Sequence, residues 1–486
     1  MRISKHPAWA VFGLSLILYL SGTWILPLFD RDEPRFAEAS REMLERGDYV
    51  VPWFNGEWRF DKPPLIYWAE MASYRVFGEN EFAARLPSAL FGAGTAVLVL
   101  FWARRMAKPG TAVAAAVIFA TTLQMLIHAR LAVADMPLIF FVAAAGWSGW
   151  EMTRPGAEGG ARWWWMFNVS LALGFLAKGP VAWIPIGGVV VGRWLWPGEF
   201  GLGWGRFAAG LVVAMGIVAL WGIPAILATH GEFLNVGIGY HVLFRSFGVI
   251  NGHGAGSWLQ MILWLPYFFV LFFFSFFPWC IRVPGALRAW WPARRSDVFG
   301  GYLLLQAGLI FLVFTLVRTK LPHYTLPAFP FIAIWLAREA ERGAIGDLKV
   351  GRGAAAMAVL ALVLTLPGFW LARREFVSQS IFEKSKPYLN RGMKFATVDY
   401  TEASLVWLYR GVTTNYMETL SDEEAGAFVQ QSNPFVLIVP SSLYQTDRVL
   451  HAADTVSVEA RGLNVAKIEF KGQKLQWTDL TAVIRQ

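Results

Sequence analysis

Residues Leu26–Val50 read LPLFDRDEPRFAEASREMLERGDYV. The preceding stretch, Trp9 to Phe29, is almost wholly apolar, and then Asp30, Arg31, Asp32, Glu33 and Arg35 follow within six positions. An apolar run of roughly 20 residues is long enough to cross hydrocarbon, so the charges fall against a bilayer surface. The basic start, with Arg2 and Lys5, and the lack of a small-x-small cleavage site before the charges point to an uncleaved first span. Beyond it, Pro34 suits the first turn of a helix, with Asp32 or Glu33 near its cap. Phe36, Ala39, Met43 and Leu44 keep a helical spacing, and Gly47 ends it. A second helix is expected from Pro63–Pro64 to Gly78, its apolar stripe formed by Leu65, Ile66, Trp68, Ala69, Ala72 and Val76. Both helices suit the plane of the interface.

The rest of the chain agrees with a membrane setting. Of 486 residues, 56% are hydrophobic and 16% charged, against about a quarter charged in soluble domains. The 25 Trp and 38 Phe fit a chain with much interfacial surface. The net charge of +9 marks cytoplasmic loops, not nucleic acid. Cys280 is the one cysteine, so an intrachain disulfide is excluded. Apolar runs near 8–29, 82–103, 111–128, 133–151, 163–177, 179–196, 207–228, 257–280, 299–317, 322–337 and 353–372 give about eleven candidate spans. Arg104, Arg105, Lys108, Arg154, Arg162, Arg193, Arg206, Arg282, Arg338 and Lys349 then fall on the side of the N-terminus, a positive-inside pattern. The loop 30–81 and the tail beyond residue 372 fall on the other side. In the tail, PFVLIVP, DTVSVEA and NVAKIEF read as strands, and TEASLVWLYRG and SDEEAGAFVQQ as helices. The chain is thus divided into a membrane part, 1–372, with interface helices in loop 30–81, and a small α/β or α+β domain, 373–486.

The candidate chemistry lies on the outer side. Arg31, Arg35, Lys62, Lys178, Arg245, Arg318 and Lys320 fall where Lys and Arg should be scarce. Some would simply snorkel to headgroups; so many together fit convergence on an anionic ligand. Asp32–Glu33 could be a helix cap and no more. Asp135, in RLAVADMPL, sits in or beside apolar sequence, where an ionisable group is costly and usually functional, though it could equally pair with Arg130. FDKPPLIYW puts Lys62 on a turn stiffened by prolines; GIGYHVLFRSFG offers His241 and Arg245 one helical turn apart; VRTKLPHYTLPAFP offers Arg318, Lys320, His323 and Tyr324 at a broken helix start. Carboxylates beside a cluster of cations suit a reaction on a lipid-linked phosphate, a carboxylate acting as base or metal ligand and the cations holding the leaving phosphate. There is no GxxxxGK[ST] motif and hence no sign of a nucleotide cofactor.

These stretches resemble a known family. RDEPRFAEASREMLERGDYVVPWFNGEWRFDKPPLIYW, NEFAARLPSALFGAGTA, RLAVADMPL, LGFLAKGPVA and RTKLPHYTLPAFP are similar, in the same order, to the bacterial polyprenyl-phosphate-sugar glycosyltransferases, relatives of the protein O-mannosyltransferases and the lipid A aminoarabinose transferase. The resemblance covers residues 10–340 well and the tail loosely. It implies a GT-C type polytopic α-helical membrane protein, with about 11–13 transmembrane helices, in a bacterial inner membrane with its active site facing the periplasm. It implies an undecaprenyl-phosphate sugar as donor and lipid A or another envelope glycolipid as acceptor, a protein acceptor being the second choice. By the same resemblance Asp32 is the catalytic carboxylate and Asp135 a second one. Arg35, Lys62, Arg245 and Tyr324 fall on donor-phosphate or substrate-binding positions, with Lys320 a further candidate cation beside Tyr324. Asp61, where the family usually has Glu, could hold a divalent metal with His241; the shorter side chain weighs against it. A transporter or flippase would show inverted repeats and midplane charges; here the charges gather at one face.

Overall fold

The computed structural model describes residues 6–29, 32–155, 160–201, 203–244, 258–343, 348–413, 415–464 and 477–486. Helices dominate up to residue 385. The first ten are α1 (His6–Leu20), α2 (Asp32–Arg46), α3 (Leu65–Phe77), α4 (Glu81–Ala103), α5 (Pro109–Ala120), α6 (Leu123–His128), α7 (Asp135–Thr153), α8 (Gly160–Lys178), α9 (Ile184–Leu195) and α10 (Trp204–Ala228). Val298–Leu316, Phe329–Glu341 and Val350–Val363 follow. Each apolar run of the sequence overlaps a helix, but fewer than eleven are spans by length and composition. Among the described residues α4, α10, Val298–Leu316 and Val350–Glu375 qualify, 4 in all, or 5 if the pair Leu259–Ser275 and Trp279–Ala293, bent by 114°, counts as one. The physical reason is interruption and polarity. The run 111–128 breaks at Thr121–Thr122, the run 179–196 begins in a short 3₁₀ turn at Pro180–Trp183, and α7 carries Asp135 and Glu151. Leu220, Leu227, Val270 and Leu371 are largely exposed on these helices, as lipid-facing side chains must be.

The two loop helices form where the sequence places them. Asp32 and Glu33 occupy the first turn of α2, favourable at the positive helix end. Gly47 closes α2 at φ 66°, its N–H bonded to Leu44 O and that of Asp48 to Met43 O. Gly78 closes α3 at φ 76°, donating to Tyr74 O at 2.8 Å. Phe36, Ala39 and Met43 meet Ile66, Tyr67 and Met71 in a core completed by Val133 and Ala134, at the start of α7. The buried face of α3 differs from the expected stripe. Ile66, Tyr67, Glu70, Met71 and Tyr74 point inward, whereas Val76 is 72% exposed. At an interface the apolar stripe can face lipid, so the protein-facing side accommodates Glu70, to which the Ser40 hydroxyl donates. Burial holds the Glu70 carboxyl well above its ordinary range.

Beyond α3, a second clamp fixes the start of α2. The Arg85 guanidinium on α4 donates twice to Glu33, both at 2.8 Å, and to the carbonyls of Thr23, Leu26 and Pro27 at 2.7–2.9 Å. Glu33 also accepts from the N–H groups of Phe29 (2.8 Å) and Ala132 (2.7 Å). The pair is buried, and such pairs are stable only when the remaining lone pairs and donors are satisfied, as here.

The tail holds a five-stranded mixed sheet. An earlier hairpin supplies β1 (Trp53–Phe54) and β2 (Glu57–Trp58), and the sheet is built from β3 (Lys394–Thr397), β4 (Met417–Thr419), β5 (Phe435–Pro440), β6 (Val456–Leu463) and β7 (Trp477–Arg485). Its order is β4-β3-β5-β7-β6, parallel across β4, β3 and β5 and antiparallel from β5 to β6. PFVLIVP and DTVSVEA fall on β5 and β6; NVAKIEF lies almost wholly outside the described residues. The two expected helices are Ala403–Thr413 and Asp422–Val429, the second started by a Ser421/Glu424 capping box. The first packs on α2. Arg41 donates to Trp407 O at 3.0 Å and lies 4.5 Å over its ring, Arg410 pairs with Glu45 at 2.6 Å, and Asn55 exchanges two hydrogen bonds with Met417.

Candidate active site

Two cavities lie side by side where α7 begins and α8 ends. One, about 220 Å³, is polar, and its wall includes Asp32, Glu33, His128, Leu131 and Phe36. The other, about 670 Å³, is lined largely by apolar side chains, among them Leu138, Phe175, Trp183, Ile184, Phe233 and Phe314. Asp61, Lys62, Asp135, Lys178, His323 and Tyr324 line both. An apolar and a polar chamber therefore lie side by side, with the charged residues in the wall they share.

Helix ends explain the junction. Asp135 is the first residue of α7 and Lys178 the last of α8, so each charge complements its helix dipole. Their contact, Lys178 Nζ to Asp135 Oδ1, is 2.6 Å. Arg130 does not partner Asp135; its guanidinium donates to the carbonyls of Leu18, Ser21 and Leu126. Lys62 Nζ lies 2.8 Å from Asp61 Oδ1, and the other oxygen of Asp61 receives Arg59 at 3.1 Å. The Tyr324 ring sits 5.9 Å below Lys178 Nζ and packs on Phe314 at 4.7 Å. Asp32 and Glu33 separate in role. Glu33 turns inward to Arg85, while Asp32 is exposed on the wall of the polar cavity.

The structure thus brings Asp32, Asp61, Lys62, Asp135 and Tyr324 together. Arg35 is on α2 but outside the wall of either cavity. Lys320, read as a further phosphate ligand, is placed elsewhere. Its ammonium is buried and donates to the carbonyls of Phe314, Thr315 and Val317 at 2.6–2.9 Å, closing the end of the helix Val298–Leu316. A helix terminus leaves unpaired carbonyls, and Lys320 satisfies them. Arg245 and the side chain of His241 lie outside the described residues, although the backbone of His241 belongs to the π-helical segment Phe233–Phe244. The expected metal site pairs Asp61 with His241, whose side chain lies outside the described residues. Both oxygens of Asp61 carry cations, and no group of three His, Cys, Asp or Glu suited to a metal occurs among the described residues. Sequence reasoning singled out Lys178 only as one cation among several and passed over His128 and Arg85. Lys178 and Arg85 meet their carboxylates 43 and 52 residues away in sequence, and the ring beside His128 is His323, all beyond the reach of local pattern.

Comparison with known proteins agrees with this architecture. The family profile Dolichyl-phosphate-mannose-protein mannosyltransferase matches residues 3–237. The undecaprenyl phosphate-alpha-4-amino-4-deoxy-L-arabinose arabinosyl transferase of Edwardsiella ictaluri is 30% identical over 384 residues, 74% of this chain and 66% of its own length, just under two thirds. The crystal structure of ArnT from Cupriavidus metallidurans bound to undecaprenyl phosphate superposes with a TM-score of 0.77 at 18% identity, covering 99% of this chain and 98% of that one. The archaeal oligosaccharyltransferase AglB from Archaeoglobus fulgidus shares the fold more distantly, with a TM-score of 0.51 at 13% identity over 90% of this chain and 70% of its own. The chain is a multi-span membrane protein with the fold of that ArnT structure. In sequence the chain is similar to the protein mannosyltransferase profile over its first half and to the aminoarabinose transferase over most of its length.

Proposed function

We propose that the protein moves a sugar from a polyprenyl-phosphate carrier, undecaprenyl phosphate in bacteria, to an acceptor at the outer face of the inner membrane, with lipid A or a related envelope glycolipid as the first choice and protein as the second. The observation that carries this reading is the shared wall of the two cavities. An amphipathic donor needs an apolar slot for its chain, cations for its phosphate and a polar chamber for its sugar, in that order along one path. The larger cavity, the junction of Lys62, Lys178 and Tyr324, and the polar cavity follow that order. The names of the relatives support the same donor.

In the transfer, an acceptor oxygen forms a bond to the anomeric carbon while the carbon–oxygen bond to the donor phosphate breaks, its electron pair leaving with the phosphate. Lys62 and Lys178 neutralise that growing charge and the Tyr324 hydroxyl donates to it. Asp32, the exposed carboxylate of the polar cavity, takes the proton of an acceptor hydroxyl. Losing a general base typically costs about 10²–10⁴ in rate. Asp32→Asn should insert in the membrane and bind undecaprenyl phosphate as the parent does, yet transfer almost no sugar. Mass spectrometry of lipid A and envelope glycolipids from cells with the parent gene, the variant and no gene checks both parts. A sugar present with the parent and missing in the other two is the expected result, and an Asp32→Asn variant as active as the parent overturns the role of Asp32.

A further inference from the structure

Strands β6 and β7 pair antiparallel, with Glu459 opposite Thr481, Arg461 opposite Asp479 and Leu463 opposite Trp477. Opposed residues point to the same face of a sheet, so these side chains share one face, and Ala460 and Leu480 belong to the other. That other face is covered, Ala460 and Leu480 lying in a core with Val377 and Ile381 of the helix Val377–Ser385. Among the described residues the first face is covered only in part. The short helix Ser441–Thr446 seats Ser441 on Thr481, hydroxyl to hydroxyl at 2.9 Å, both buried. Beside it opens a cavity of about 660 Å³, walled by Glu459, Arg461, Trp477 and Asp479 from the strands and by Ser442 and Gln445 from the helix. Lys384 completes the wall and donates to Glu459 O at 2.8 Å. None of these residues lines the two cavities of the candidate active site.

The wall has the chemistry of a sugar site. Trp477 is 51% exposed and sets an aromatic surface among polar groups. The face of an aromatic ring is negative and attracts the C–H groups of a pyranose. Arg461 flanks this ring at 5.8 Å, near the outer limit of a cation–π contact. Sugar hydroxyls both donate and accept; here carboxylates accept, Lys384 and Arg461 donate, and Ser442 and Gln445 do both. Arg461 Nε stands 3.6 Å from Asp479 Oδ1, too far for a hydrogen bond, so both keep bonding capacity for a ligand. Two cations face two carboxylates, and the wall carries no net charge to favour an anion. Its place in the fold points to a lipid-borne sugar. Leu463, two residues beyond Arg461, is bridged to Phe376, and the Phe376 ring meets that of Phe29 edge-on at 5.9 Å. Phe29 ends the first apolar run and lines the polar cavity. The strand that carries Glu459 and Arg461 therefore ends against the membrane part, beside that cavity. We propose that the cavity of the tail binds a saccharide, the sugar portion of a membrane-anchored glycolipid, with one ring stacked on Trp477 and its hydroxyls bonded to Glu459, Arg461 and Asp479. This goes beyond the glycosyltransferase reading and rests on it only in making that glycolipid the acceptor.

The test uses the full chain in lipid nanodiscs. The probe is the oligosaccharide released and dephosphorylated from the envelope glycolipids of the cells that carry the gene, its binding read by saturation-transfer NMR and isothermal titration. The parent should bind it, and inorganic phosphate should not compete. Trp477→Ala and Asp479→Asn should each weaken binding by about 5- to 10-fold, while Trp477→Phe, which keeps an aromatic face, should stay close to the parent. All three should bind undecaprenyl phosphate and unfold as the parent does. Asp479 is exposed, so Asp479→Asn decides the matter even where Trp477→Ala disturbs the tail. No binding by the parent, undiminished binding by Asp479→Asn and Trp477→Ala, or displacement by inorganic phosphate overturns the saccharide site. Oligosaccharide binding by a parent that transfers no sugar to any envelope acceptor removes the glycosyltransferase reading and leaves the site standing; transfer without such binding does the reverse.

Discussion

Two lysines close together in sequence-based expectation have different tasks in the structure, and they can be told apart. Lys62 lies at the junction of the cavities beside Asp61, whereas Lys320 holds three carbonyls at a helix end. A charge-assisted hydrogen bond contributes about 1.5–3 kcal/mol. Lys62→Ala should therefore weaken undecaprenyl phosphate binding by about one to two orders of magnitude with little loss of thermal stability. Lys320→Met should do the opposite, lowering the unfolding temperature while leaving affinity close to that of the parent. Titration with the lipid phosphate and thermal unfolding in detergent, run on both variants, separate the two. Asp32 and Lys62 were legible because each stands beside a local punctuation mark, Pro34 for one and Pro63–Pro64 for the other. The division of labour between Asp32 and Glu33 was not, because it is set by Arg85, which is remote in sequence.

At the scale of elements, the boundaries of α2 and α3 followed from caps and glycines, but the inward face of α3 did not. Periodicity identifies an apolar stripe without saying whether protein or lipid covers it. The consequence is Glu70, buried against Ser40 with its carboxyl held well above the ordinary 4.5. The folded state keeps a proton there that the unfolded chain has already released, so its contribution to stability is greatest below pH 4.5 and declines as pH rises toward the folded value. Glu70→Gln keeps shape and neutrality and should flatten this decline. Unfolding temperatures measured from about pH 5 to about pH 8 would show the parent losing more than the variant; equal slopes would mean that Glu70 is ionised.

For the whole molecule, the helical membrane part and the sheet-bearing tail were both visible as a change of composition near residue 373, while the breaks within the apolar runs were not. Runs that look continuous are interrupted at Thr121–Thr122, Pro180 and Pro266, where hydropathy barely changes. How the tail docks was equally hidden, since Arg41, Glu45 and Asn55 meet Trp407, Arg410 and Met417 more than 350 residues later. Trp407→Ala removes a buried aromatic at that seam, a loss of about 3–5 kcal/mol for a core site. The variant should show earlier protease cleavage between membrane part and tail together with reduced transfer. Unchanged cleavage would mean that the tail is held by other contacts.

The Glu33–Arg85 clamp has a bearing on how the protein is made. Glu33 emerges from the ribosome 52 residues before Arg85 and 99 before the Ala132 N–H that completes its shell. Until then a carboxylate destined for burial has no counter-ion, so the helix that bears Asp32 reaches its final seat only after α4 has been inserted beside it. Leaving Arg85 buried without its carboxylate costs about 3–5 kcal/mol, so Glu33→Ala should be met by membrane quality-control proteases. Pulse-chase labelling should show it synthesised at the normal rate and then degraded, with a half-life restored when the principal inner-membrane protease is deleted.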